Sequence, residues 1–148
     1  MTGRYIKVAS LVGLAILLLA SVGAAQQIHR VKAVVPFEFR VDNTLYPAGE
    51  YGVTFPLKPV GDVGMLTDTQ GRVLQFVAAH RCERSAGTDA AYLLFRGYGK
   101  DYFLVQIGAA GLGPSLELGM SRTEREVAKS LAQLKDGKKA KGVLVAAR

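Results

Sequence analysis

Short runs in which apolar and polar residues alternate recur along this chain, and turn-forming residues bound them. In residues 35–41 (VPFEFRV), every second side chain is apolar, which is the period of a half-buried strand. Asp42-Asn43 then favours a tight turn, and Pro47 favours a second turn in which Gly49 takes a left-handed conformation. We therefore predict a strand, a tight turn, a very short strand, another turn and a third strand.

A second alternating run follows at residues 51–55, and further predicted strands lie at residues 63–67, 72–79, 90–96 and 102–107. The turn segments DTQG and GYGKD separate two successive pairs of these runs, and no helical pattern lies between them. The spacing predicts a mainly β fold, a small antiparallel barrel or sandwich of six to seven strands. Its predicted core includes Phe37, Phe39, Val53, Phe55, Phe95, Phe103, Val105 and Ile107.

A different period appears in residues 121–137 (SRTEREVAKSLAQLKDG), which predict one C-terminal amphipathic helix. Ser121 is a good N-cap, and Glu124 three residues later completes a capping box. Gly137 suits the position just after the helix end. The apolar stripe of the helix consists of Val127, Ala128, Leu131 and Leu134.

The first 25 of the 148 residues have the layout of a secretory signal peptide. A positively charged start precedes the apolar run at 11–20, and small residues lead to Gln26, where we expect cleavage. A retained membrane anchor is the alternative, and it would be the only membrane contact. We expect residues 26–137 to form a single β-rich domain with its helix. Residues 138–148 read as a basic tail, with an edge strand as the alternative.

The chain carries a formal net charge of +7. Loss of Arg4 and Lys7 with the leader would leave 17 basic and 12 acidic residues, a net charge of +5. A positive charge favours anionic surfaces without specifying one. For a periplasmic or extracellular protein we expect another envelope protein or an anionic envelope polymer as partner. Nucleic acid is not expected, because the cations are not interleaved with aromatic residues in a cluster.

The residue types that carry chemistry are sparse. His29, His80 and Cys82 are too few and too scattered for a zinc site, which needs three or four ligands. A nucleophile elbow and a phosphate-binding glycine loop are also missing from the sequence. We therefore predict no catalytic, cofactor-binding or metal-binding residues, and a protein that is not an enzyme. A lone Cys82 is expected to be a small buried residue, with an intermolecular disulfide as the alternative.

Three motifs resemble a family of short, uncharacterised exported bacterial proteins. The motifs are VPFEFRVDNTLYPAGEYGV, RGYGKDYFLVQI and SRTEREVA, and together they cover most of the chain after the leader. The chain departs from the family pattern at Glu38 (usually Asp), Tyr46 (usually Leu), Gly97 (an insertion) and Gly108 (usually Trp). The resemblance implies export and one compact domain, and it implies no activity.

These observations favour a small, exported, non-catalytic domain with a binding or structural role at the cell envelope. The alternative is a small exported enzyme whose site assembles only in the fold. If Arg96 pairs with Tyr102, the outer face of that hairpin is too apolar for solvent. Either the helix or a partner should cover it. The candidate partner-contact residues on this face are Tyr92, Leu94, Arg96, Tyr102 and Leu104.

Overall fold

A computed structural model describes residues 28–56, 63–83, 89–111, 115–133 and 140–148 of the chain. The described residues form ten strands and one helix, which confirms the predicted mainly β class with a single helix. The elements are β1 (Ile28–Val35), β2 (Phe39–Val41), β3 (Thr44–Tyr46), β4 (Gly49–Pro56), β5 (Val63–Thr67), β6 (Val73–Cys82), β7 (Tyr92–Tyr98), β8 (Asp101–Gly108), β9 (Ser115–Leu118), α1 (Arg122–Gln133) and β10 (Lys141–Ala146).

The strand number differs from the predicted six to seven for local reasons. Strand β1 begins directly after the apolar leader, where its own alternation is hard to separate from the leader's apolar run. Strand β9 has only four residues, too few to show a period. The predicted leader of residues 1–25, the cleavage site at Gln26 and the helix end near Gly137 lie outside the described residues.

All ten strands belong to one sheet. Its main path runs β1-β4-β5-β6-β9-β8, after which β8 pairs with β7 and β7 with β10, while β2 and β3 join at the other edge of β8. The pairing is antiparallel, as predicted, except for one parallel pair between Arg40 and Phe103. The long strand β6 pairs first with β5 and then with β9, so it carries the sheet from one half of the domain to the other.

The two ends of this path touch. Ala33 on β1 bridges Ala147, the residue after β10. The Lys32 N–H donates to the Arg148 carbonyl at 2.7 Å, and the Arg148 N–H donates back to the Lys32 carbonyl at 2.9 Å. The contact is a single bridge rather than a ladder, so the sheet is not closed. Residues 141–146, the alternative edge strand of the predicted tail, lie along β7 beside this seam.

The side chains on one face of the sheet meet in a single core. Of the residues predicted for it, Phe39, Val53, Phe95 and Ile107 are in the buried cluster, and Phe37 packs on the cluster half-buried. Phe103 and Val105 are also buried, but outside that cluster. The Phe55 side chain lies outside the described residues.

The opening motif folds as its turn residues indicate. Asp42 and Asn43 form a two-residue connection between β2 and β3, and Asp42 has a φ of 53°. The left-handed conformation predicted for Gly49 is wrong, because this residue begins β4 and pairs with Val35. The segment is therefore a corner of the sheet, as the alternation predicts. Of its two turns, the first alone contains a residue with a positive φ, which is Asp42.

The hairpin of β7 and β8 has a different register from the predicted one. The predicted five-residue loop is a two-residue turn, Gly99-Lys100, in which Gly99 has a φ of 68°. Arg96 therefore pairs with Phe103 instead of Tyr102. A glycine that accepts a positive φ allows a tight hairpin turn. The two strands therefore extend by two further pairs, Gly97 with Tyr102 and Tyr98 with Asp101.

Two glycines in this hairpin lie under tyrosine rings from the opposite strand. Gly108 pairs with Tyr92, whose ring occupies the space that a side chain at 108 would need. Gly97 pairs with Tyr102, and a Cβ at 97 would approach the ring to 2.9 Å. A ring on the paired residue covers backbone that glycine leaves bare. Gly108 thus leaves the space that the Tyr92 ring fills.

We expect Gly108→Ala to lower the free energy of unfolding by about 1–3 kcal/mol, because the added methyl group forces the buried Tyr92 ring out of place. Urea denaturation checks this. Gly119→Ala is the matched control, since nothing lies within 4 Å of a Cβ at 119, and its effect should stay within about 0.5 kcal/mol. Equal effects of the two substitutions would contradict the packing of Tyr92 on Gly108.

Candidate interaction surface

The observed register separates the five predicted contact residues. Tyr92, Leu94 and Arg96 lie on one face of the hairpin, whereas Tyr102 and Leu104 lie on the other. Leu104 belongs to the buried core, and the Tyr102 ring stacks on Phe37 with centroids 4.2 Å apart. The predicted pairing of Arg96 with Tyr102 is wrong, and the structure brings only the first three residues together.

Tyr92 is fully buried within a polar network. Its hydroxyl donates to the Gln106 amide oxygen at 3.0 Å and lies 2.8 Å from the Ser115 hydroxyl. The Gln106 amide nitrogen donates to Cys82 Sγ at 2.9 Å and to the Glu83 carbonyl at 3.1 Å. Cys82 is half-buried rather than fully buried, and these groups satisfy one another. The arrangement joins β6, β7, β8 and β9 and is structural in character.

The helix is joined to the Arg96 end of the same face through one carboxylate. Glu124, only 3% exposed, accepts from Arg96 Nη1 at 2.9 Å and from the Tyr98 hydroxyl at 3.3 Å. Burial raises the pKa of Tyr98, and the negative charge of Glu124 raises it further. Burial lowers the pKa of Arg96, but the hydrogen bond and charge of Glu124 together with the contribution of Tyr98 outweigh burial, and the net direction is upward.

One of the two hydrogen bonds that define the predicted capping box is present. Ser121 Oγ accepts from the Glu124 N–H at 3.1 Å, as predicted for an N-cap. The Glu124 carboxylate does not complete the box but reaches the strand, because Arg96 offers a charged donor. Asn43 adds a second attachment by accepting from the Thr123 hydroxyl at 2.9 Å. The helix therefore covers part of the face that the sequence analysis expected to need a cover.

We expect Glu124→Ala to cost roughly 2–3 kcal/mol in the free energy of unfolding, because it leaves Arg96 and Tyr98 without their acceptor. The estimate is below that for a fully buried pair, since the Arg96 side chain is 34% exposed. Chemical denaturation measures the change. Glu126→Ala is the control on the same helix, because Glu126 is exposed and its ion pair with Arg122 lies at the surface, and it should cost less than about 0.5 kcal/mol. Similar losses for the two variants would show that Glu124 does not anchor the helix.

A second face, on β5 and β6, is apolar and open. Val63 pairs with Ala78, and Met65 pairs with Phe76. Phe76 is 66% exposed and Val63 is 43% exposed, while their neighbours Leu66 and Val77 are buried in the core. We name Val63, Met65, Phe76 and Ala78 the β5–β6 patch. Most outward faces of antiparallel sheets are polar, so this contiguous apolar group in mid-sheet is the candidate contact surface.

The patch is bordered by polar groups of β4, β6 and β9. His80 follows Ala78 on the same side of β6, and its Nε2 lies 3.7 Å from a Glu117 carboxylate oxygen. Thr54 pairs with Met65 on the other side. Among the described residues its buried hydroxyl has no hydrogen-bond partner. An apolar centre with a polar border is the usual anatomy of a protein contact surface.

The predicted strand at residues 72–79 does not by itself identify this patch, although a signal for it exists. Residues 73–79 (VLQFVAA) contain one polar residue, so both faces of β6 had to be largely apolar. A strand with two apolar faces is either buried on both sides or covered by something else.

The last observations concern the described residues as a whole and the likeness of the chain to other proteins. In the part that the structure describes, no group of three or more His, Cys, Asp or Glu side chains is placed to hold a metal ion. No helix among these residues is long and apolar enough to cross a membrane. We find no match to the chain among protein-family models, curated proteins or solved structures.

Proposed function

We propose that this protein is an exported, non-catalytic domain that binds another macromolecule at the bacterial cell envelope through the β5–β6 patch. The observation that carries the proposal is the exposure of Phe76 beside Val63 and Met65 on a strand whose other face is core. The net positive charge favours an anionic polymer or an acidic envelope protein as the partner.

The physical support is the cost of leaving this patch in water. A large side chain such as Phe contributes about 1.5–3 kcal/mol when it passes from water into an apolar contact. Aromatic residues at the centre of an interface commonly dominate its binding energy. Phe76 occupies such a position, and Ala78 leaves room beside it for a partner's side chain.

The distribution of polar groups favours binding over catalysis. The buried polar groups of the β7–β8 face pair with one another, as Tyr92 does with Gln106 and Glu124 does with Arg96. A catalytic acid or base needs to reach a substrate proton, and groups held in structural pairs are poorly placed for that. We infer further that the sheet curls into a small, incompletely closed barrel, whose filled interior gives the patch a rigid support.

Export has a direct test. If residues 1–25 are a cleaved leader, intact-mass spectrometry of the protein from the periplasm of an expressing bacterium should give a chain that begins within a residue or two of Gln26. Periplasmic material that retains the first 25 residues would contradict the proposal and favour the membrane anchor.

Binding is tested with Phe76→Ser. We expect this variant to lose roughly tenfold or more in affinity for a solubilised bacterial envelope fraction, measured as a saturable isotherm on the immobilised domain. Its free energy of unfolding should change by less than about 0.5 kcal/mol, because Phe76 lies outside the core.

The matched control is Leu45→Ser, which removes a similarly exposed apolar side chain from β3, far from the patch in the sheet order. Leu45→Ser should leave the isotherm unchanged. Retained binding in Phe76→Ser, or an equal loss in the two variants, would contradict the assignment of the patch as the contact surface.

A further inference from the structure

We propose that the free edge of β10 accepts an extended peptide segment with alternating apolar and acidic residues, which adds to the sheet beside the seam with β1. This surface is separate from the β5–β6 patch, and the inference does not rest on the proposed function. The ligand is defined by its backbone conformation and by its charge.

The direction of the backbone groups follows from three hydrogen bonds. The Ala147 N–H donates to the Ala91 carbonyl at 2.9 Å, which is toward β7. The next residue, Arg148, bonds in the opposite direction, to Lys32 on β1. Because these groups alternate along an antiparallel strand, the N–H and C=O groups of Gly142, Leu144 and Ala146 point away from β7.

Strand β1 takes up only the end of this row of groups. The Ala33–Ala147 bridge brings Val34 alongside Ala146, whereas no described strand other than β7 pairs with β10 at Gly142 or Leu144. A cleft of about 330 Å³ opens beside this seam. Its lining residues are Lys32, Ala33, Val34, Glu50, Ala146, Ala147 and Arg148.

The edge lacks most of the features that prevent strand addition. Natural edges carry proline, bulges or charged side chains that block pairing. Strand β10 (KGVLVA) is regular against β7, contains no proline and has a charge only at Lys141. Leu144 is 47% exposed in its middle. Such an edge is a template for an added strand, so the ligand should be a peptide in an extended conformation.

The side chains around the edge define the peptide further. Val143 and Val145 are half-buried and pack on the core, so every second residue of an added strand would meet apolar surface. Lys32 and Arg148 line the cleft together with the Glu50 carboxylate, and the exposed Lys141 begins β10. The outward residues of the peptide should therefore be acidic. A second copy of β10 is disfavoured, because antiparallel pairing would bring Lys141 of one copy close to Arg148 of the other.

The test uses a fluorescent peptide of alternating glutamate and valine as the probe, with the full chain and fluorescence polarisation at low salt. We expect saturable binding that is roughly tenfold weaker when lysine replaces glutamate in the probe. Two further probes carry methyl groups on alternate backbone nitrogens, one on the odd-numbered residues and the other on the even-numbered residues. At least one of these two probes should lose binding. Hydrogen exchange should slow at Gly142, Leu144 and Ala146 when the unmodified probe is bound.

The matched variant is Leu144→Pro, which removes an N–H that points away from β7 and leaves the β7 hydrogen bonds in place. It should bind the probe at least roughly fivefold more weakly, whereas Phe76→Ser should bind it normally. Because the modified probes act on the unaltered chain, the inference stays testable if Leu144→Pro does not fold. Absent binding, undiminished binding of both methylated probes, or a protein dimer that protects the same amides without peptide would overturn it.

Discussion

The pairing of β7 with β8 is the interaction on which the rest of the domain depends. It places Leu93, Phe95 and Ile107 in the core and turns Tyr92 and Arg96 to the other face. A β-bulge between Leu94 and Phe95 divides this ladder, and the packing of Tyr92 on Gly108 fixes the register of the half beyond the bulge, where a shift by one residue would exchange the two faces. The helix, the polar network around Tyr92 and β10 all attach to this hairpin.

The outer face of this hairpin is covered at its Arg96 end by contacts that are polar rather than apolar. Glu124 reaches Arg96 and Tyr98 from the helix, and Thr123 reaches Asn43 in the turn after β2. Charged and hydroxyl groups have strict geometry, so they set the position of the helix more narrowly than an apolar stripe would. Val127 and Leu131 are only half-buried, which agrees with this division of roles.

Two surfaces remain open for other molecules, and they differ in physical character. The β5–β6 patch offers side chains, with Phe76 at its centre, and suits a partner with its own apolar surface. The edge of β10 offers backbone groups and suits an extended segment. The two surfaces belong to strands in different parts of the sheet order, so one molecule could occupy each.

The sequence by itself determined the class of the fold, the two-residue turn at Asp42-Asn43, the start of the helix at Ser121 and part of the core. These features rest on the period of side chains and on the conformations of single residues, which are local properties. Only the tertiary structure decided the hairpin register, the partner of Glu124, the seam beside β10 and the exposure of Phe76. Each of these features depends on which residues from distant parts of the chain lie next to it, and a local sequence pattern does not identify those neighbours.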